Sequence, residues 1–273
     1  MNKSSMKKLQ KHKQIKYAGI DIGERNIMAV FIDDETTKSL LIESKPFKDY
    51  NEKINKIIEY LNEAKSKESL DLKISKTDKD TVKYTERTKE IDKLISFLNS
   101  GRKSFFHEQF HKNAKYVVEY LHWYGVTHLF ISKNLANHKF IQIKFKKLLG
   151  QIEHEAQGYG IKVDNNIDES FTSQVSCITG DIKSAQKNPN LTHAFNGKRS
   201  VHRTMFFDTV INERFYADLN AAVNHIKVGT GKNFEWLKDK LFKLKDPIKI
   251  TSDQDFEKLL ASLKKSNTSK PPD

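Results

Sequence analysis

One stretch constrains this chain more than any other: Lys16-Tyr17-Ala18-Gly19-Ile20-Asp21-Ile22-Gly23-Glu24-Arg25-Asn26-Ile27-Met28-Ala29-Val30. Apolar, strand-forming residues carry one carboxylate, Asp21, near the end of the first run. A turn follows, then a second apolar run from Ile27 to Ile32. The pattern predicts two adjacent antiparallel strands joined by a tight Gly23–Asn26 connection. A carboxylate in such a setting must be paired, hydrated or bound to a cation. Asp21 is therefore either an acid capping the turn or a metal or phosphate site at a strand end. The rest of the chain decides between these.

Lys and Arg exceed Asp and Glu by 13 among 273 residues. An excess of that size points to a polyanionic partner, since clustered cations gain by displacing counterions from phosphates. The single cysteine, Cys177, excludes an internal disulfide and any zinc site built from several cysteines. No apolar run reaches the roughly 18 residues that a membrane-spanning helix needs, and no signal-type apolar core follows the basic start. These features predict a cytoplasmic protein, with association to the nucleoid, and no membrane partner.

Residues 1–16 hold six lysines and no acid, and read as a basic arm. Ser39–Ser44 completes a three-strand meander. Helical spacing follows in Tyr50–Lys65, then a polar Ser66–Lys83 that reads as a loop or frayed segment. A long helical pattern starts at Thr85, with Gly101 as a candidate break. Its stripe of Phe105, Phe106 and Phe110 reads as core packing rather than base stacking. Val126–Ser132 is a short strand, Phe140–Gln157 an amphipathic helix and Ile161–Val163 another strand. A strand–helix–strand unit after a meander makes a mixed sheet. Residues 180–200 read as an inserted loop, and Ala217–Ile226 as a helix with Asp218 in its first turn, where N-capping would explain an acid. Asn233–Phe242 and Phe256–Leu263 read as short helices in a basic tail spanning 230–273.

Three carboxylates stand at edges of regular elements: Asp21, Glu169 and Asp218. Three hard oxygen ligands suit Mg²⁺ or Mn²⁺. Two such ions about 4 Å apart support phosphodiester hydrolysis. Candidate phosphate contacts are Lys139, Lys144, Lys147, Arg199 and Arg203, with the two arginines alternatively pairing with Asp181 or Asp208. Lysines between 227 and 249 are further candidates.

Several segments together resemble one family. Gly19-Ile20-Asp21-Ile22-Gly23 with Asn26 and Ala29, Glu169 before Phe171-Thr172-Ser173-Gln174, and Ala217-Asp218-Leu219-Asn220-Ala221-Ala222-Val223-Asn224 resemble the TnpB (OrfB) family. These are transposon-encoded, RNA-guided DNA endonucleases related to type V CRISPR effectors. Phe130-Ile131-Ser132-Lys133-Asn134 and Gly197-Lys198-Arg199-Ser200-Val201-His202-Arg203 resemble one branch of it, and the resemblance runs from about Tyr17 to Val228. It implies an RNase H-like, RuvC-type α/β fold over 17–229: a mixed sheet with a three-strand antiparallel meander, flanked by helices. It also implies catalytic metal ligands at Asp21, Glu169 and Asp218, with Mg²⁺ or Mn²⁺ as cofactor and DNA and a guide RNA as partners. Many members take the Glu from the end of the central strand, where this chain has Ser132-Lys133-Asn134. Glu169 is therefore the expected ligand and Asp168 the near alternative. The family's zinc ribbon needs four cysteines, so no structural zinc is expected. The nuclease domain begins almost at once, so a partner chain or a separate targeting region is expected.

Two other classes stay open. One is a nucleic-acid-binding or regulatory remnant without cleavage. The other is an actin-like or sugar-kinase-like ATPase, which shares the Gly-Ile-Asp-Ile-Gly hairpin but needs an adjacent Gly-Gly that this chain lacks.

Overall fold

A computed structural model describes residues 15–74, 78–132 and 145–268. It divides into one unit built from the chain up to Glu43 and from Asn113 onward, and a second formed by Ser44–Lys112.

The first unit is organised by a mixed sheet. Strands β1 (Tyr17–Asp21), β2 (Asn26–Ile32) and β3 (Leu40–Glu43) form the antiparallel meander. Strand β4 (His128–Ile131) lies parallel to β1 on its other side, and β5 (Lys162–Asp164) lies parallel to β4. The order β5-β4-β1-β2-β3 with these directions is the RNase H-like arrangement expected. A sixth strand, β9 (Ile248–Ile250), pairs parallel with β3 and was not anticipated. It is three residues long and follows Pro247, so no alternation betrays it; its place is set by pairing, beginning with the Ile248 amide donating to the Ser39 carbonyl at 2.8 Å.

Side chains alternate across a strand, so β1 presents Ala18 and Ile20 to one face and Gly19 to the other. Both faces are buried. The Gly19 face packs on helix α5 (Ala217–Thr230): a Cβ at Gly19 would overlap the Ala222 carbonyl oxygen. Ala29, Phe31, Leu41 and Phe130 join Ala222, Val223 and Ile226 of α5 in this core. Phe234, Leu237 and Leu244 complete it, so residues beyond Thr230, expected as a tail, belong partly to the interior. They do so through a short 3-10 turn at Glu235–Lys238 and helix α6 (Phe242–Lys245), where one longer helix was expected. Helix α3 (Phe145–Gly158) buries Leu148, Leu149 and Ile152, and helix α7 (Asp253–Thr268) buries Phe256 and Leu260.

Residues 180–200 are more ordered than an inserted loop. They hold α4 (Ile182–Lys187), capped by Asp181, and β6 (Gly197–Arg199). Strand β6 pairs with β7 (Met205–Asp208), and β7 with β8 (Glu213–Tyr216), in a small antiparallel sheet that leads straight into α5.

The second unit contains α1 (Lys45–Ile74) and the first part of α2 (Asp78–Trp123). Phe47 stacks against Phe106 and Phe110, Tyr50 against Phe105, and Arg102 donates to Asn55 at 2.8 Å. Lys65 pairs with Asp92 at 2.7 Å farther along, so the two helices run antiparallel. The aromatic stripe is packing, as expected. The loop expected at Ser66–Lys83 is helical up to Ile74 and again from Asp78. It contains no Gly or Pro, and Lys, Leu and Glu keep helix propensity although the segment is polar. Gly101 does not break α2; it is exposed, so its cost is only its propensity, about 1 kcal/mol against Ala.

Candidate active site

The three acids arrive from three segments distant in sequence. Asp21 ends β1. Because Ile20 pairs in parallel register with Ile131, Ser132 at the end of β4 sits beside Asp21. Glu169 lies in the turn after β5, and Asp218 in the first turn of α5. All three line one cavity of about 480 Å³, together with Arg199, Arg203 and the Phe171–Gln174 segment. The carboxyl ends of parallel strands are where an open α/β sheet forms a crevice.

Asp218 is not a cap. The N-cap of α5 is Tyr216, which makes no side-chain capping bond. The Asp218 carboxylate instead accepts from Asn26 Nδ2 at 2.8 Å and from an Arg199 terminal nitrogen at 3.1 Å. Asn26 opens β2, and the Gly23 amide donates to its carbonyl at 3.1 Å, so the opening hairpin aims this amide at α5. Burial raises the Asp218 carboxyl above its ordinary pKa, opposed by Asn26, Arg199 and Arg25.

Glu169 accepts from the Ser132 hydroxyl. Ser132, just past β4, thus orients the Glu of the following segment. The Thr172 hydroxyl donates to the Glu169 carbonyl at 2.9 Å and closes that turn. Asp168 points elsewhere in role: its carboxylate accepts the Ser170 amide at 2.9 Å, and it does not line the cavity.

The backbone of Asp21 pairs with β2, but its carboxylate has no hydrogen-bond or ion-pair partner among the described residues. Burial pushes its carboxyl well above the ordinary range, the Asp218 charge adds to this, and Arg199 only partly offsets them. A half-buried carboxylate so placed takes a proton, a cation or the water of the cavity. That is the fit test for a hard divalent ion, and the donor set meets it: carboxylate oxygens at one cavity, one with no protein partner. As the side chains stand, no group of three Asp, Glu, His or Cys among the described residues is gathered tightly enough to ligate a single ion. Ser132 holds Glu169, while Asn26 and Arg199 hold Asp218.

Two buried asparagines, unassigned by sequence reasoning, build the wall. Asn220 and Asn224 lie one turn apart on α5 and both donate to the Val175 carbonyl at 2.8 Å. Asn224 also donates to the Thr172 carbonyl at 2.7 Å, and Asn220 accepts the Cys177 amide at 2.8 Å. The Thr-Ser-Gln segment is thus bolted to the helix that carries Asp218. The spacing of four between the asparagines was the available signal. His225, the residue after Asn224 on the same helix, bonds the carbonyl of Ile20, the residue before Asp21, through Nδ1 at 2.9 Å.

The basic candidates divide. Arg199 pairs with Asp218, not with Asp181 or Asp208. Asp181 caps α4 through the Ser184 amide, and Asp208 accepts from the hydroxyls of Ser176 and Thr179. Arg203 lines the cavity in a left-handed backbone conformation, φ 55°. Lys147 is exposed on α3. Lys139 and Lys144 lie outside the described residues, as does the arm before Ile15. Lys227 and Lys243 are buried and cannot track phosphates: Lys227 donates to the Gly180 carbonyl at 3.0 Å, and Lys243 to those of Asp34 at 2.5 Å and Thr37 at 2.6 Å. Burial lowers Lys243 to about 8, with the Asp34 charge holding it up. Cys177 is buried, and burial pushes its thiol up to about 12, so it is an inert core group.

No protein-family model matches the chain, and no curated protein matches it. Among solved structures it is similar to the effector in a Cas12f1–sgRNA–target DNA complex, with a TM-score of 0.48 and 14% identity over 79% of this chain and 50% of that one. It is also similar to one in a CRISPR-Cas12f ternary complex, with a TM-score of 0.48 and 16% identity over 80% of this chain and 39% of that one. The chain therefore spans half or less of the length of these matched chains. No helix among the described residues is long and apolar enough to cross a membrane.

Proposed function

We propose that this chain is a TnpB-like, RuvC-type nuclease that hydrolyses DNA phosphodiester bonds at the Asp21, Glu169 and Asp218 cavity, with Mg²⁺ or Mn²⁺ held by those carboxylates. The observation that carries the reading is the Asp21 carboxylate, without a partner among the described residues and sharing one cavity with two acids from distant segments. Bound divalent ions supply an activated water and neutralise the charge that develops on the leaving oxygen. The protein's part is positioning. Asn26 fixes one oxygen of Asp218, Ser132 orients Glu169, and the Asn220–Asn224 bolts keep the Thr172 segment against α5. Arg203 and the exposed Lys147 supply phosphate contacts that position a strand without reading its sequence. The motif resemblance extends the reading to guide RNA as the targeting partner.

The Arg199–Asp218 pair favours a second reading, a nucleic-acid-binding module without cleavage, because the charge of one proposed ligand is already neutralised. A nicking assay on single-stranded DNA with Mg²⁺ or Mn²⁺ separates the two. Cleavage lost in Asp21→Ala, with DNA binding kept, is the expected result. Cleavage that survives Asp21→Ala sinks the site, and salt-sensitive binding with no cleavage under either ion establishes the second reading.

A further inference from the structure

Arg199 ends strand β6 and offers its guanidinium to the cavity, where one terminal nitrogen meets Asp218 at 3.1 Å. Its Nε is buried and has no acceptor among the described residues. A guanidinium is a planar fork that favours two parallel bonds to one carboxylate or phosphate. Here only part of the fork is used, and a buried donor left without its bond is costly. Arg199 is also the cation whose charge most offsets the repulsion between the acids, since it lowers both Asp21 and Asp218.

From these contacts we infer that Arg199 is an exchangeable counter-ion of the site: it neutralises Asp218 while no divalent ion is bound, and moves to a phosphate of the nucleic acid when one is. This rests on the nuclease reading and adds a regulation to it. Asp218 cannot present the same oxygen to Arg199 and to a divalent ion at full strength, so guanidinium and metal compete for it. A strand phosphate supplies the bidentate acceptor that Arg199 lacks, and drawing Arg199 away frees Asp218. Metal and nucleic acid then favour each other's binding, as linkage requires. Asn26 keeps its bond to the other Asp218 oxygen throughout, so the carboxylate stays oriented during the exchange.

Isothermal titration of the full chain with Mn²⁺ alone, without nucleic acid, tests the competition. Arg199→Ala binds Mn²⁺ about tenfold more tightly than the wild type, yet cleaves single-stranded DNA more slowly at saturating Mn²⁺. Arg199→Gln, which keeps polarity and bulk, shows the same pair of changes and serves if the alanine variant fails to fold by circular dichroism. Unchanged or weaker Mn²⁺ affinity in a folded variant overturns the exchange while leaving the nuclease reading intact. Unchanged cleavage at saturating Mn²⁺ overturns the transfer to phosphate. If the folded wild type and both variants bind no Mn²⁺, the metal site itself is wrong and the inference falls with it.

Discussion

At the scale of single residues, α5 carries an ionisable group that needs no metal to show itself. His225 is buried, its Nδ1 bonds the Ile20 carbonyl and its Nε2 has no partner. Burial lowers its pKa from 6.5 to about 4, so the folded chain keeps it neutral where the unfolded chain protonates it. Between those values the unfolded state binds more protons, and stability falls as pH drops through that window. The loss amounts to at most about 3 kcal/mol. Asp21 works in the opposite sense, since its raised pKa favours the folded state as pH falls. Urea midpoints for wild type and His225→Gln from pH 7 to pH 4.5 separate the two: the variant loses less stability on acidification. Equal slopes would mean that His225 is already protonated or solvated in the folded state.

Elements meet here at one close approach. Gly19 lets β1 lie against α5 at the Ala222 carbonyl, and Asp21 at the end of β1 and Asp218 at the start of α5 line one cavity. Backbone cannot step aside as a side chain can. Gly19→Ala forces the helix off the sheet at a cost of ~3 kcal/mol. Because Asp218 rides on that helix, cleavage falls more than the lost stability explains at a temperature where the variant remains folded. Thermal melts alongside the nicking assay measure both quantities. A Gly19→Ala chain with wild-type melting and cleavage would show that the helix has slack. The same helix holds the Thr172 segment through side chains: Asn220 and Asn224 satisfy the carbonyls of Thr172 and Val175, which a turn segment cannot pair internally.

Over the whole molecule, a net charge of +13 suits the polyanionic partner that the proposed function calls for. Association of an inactive Asp21→Ala chain with single-stranded DNA should weaken by about 10²-fold between 50 and 200 mM salt, measured by fluorescence anisotropy. A flat dependence would remove phosphate contact as the basis of binding. Lys227 and Lys243 do not contribute, because each is consumed by backbone carbonyls inside the fold.

What was legible in the sequence was local or periodic. The β1–β2 hairpin, the strand–helix–strand unit and the α5 helix each announce themselves within a dozen residues, and so did the acids at their edges. A three-residue strand such as β9 has no period to read, and a polar helix without Gly or Pro looks like a loop. Arg199 illustrates the remaining gap: its sequence surroundings allowed pairing with Asp181 or Asp208, and both of those acids spend their oxygens on nearer hydroxyl and amide donors. By itself, then, the sequence determined which carboxylates border turns and which segments are strands, because propensity and alternation act over short distances. Only the tertiary structure decided that the Asp21 carboxylate has no partner among the described residues while that of Asp218 has two, since that depends on how closely α5 rests on Gly19 and on where β6 carries its arginine.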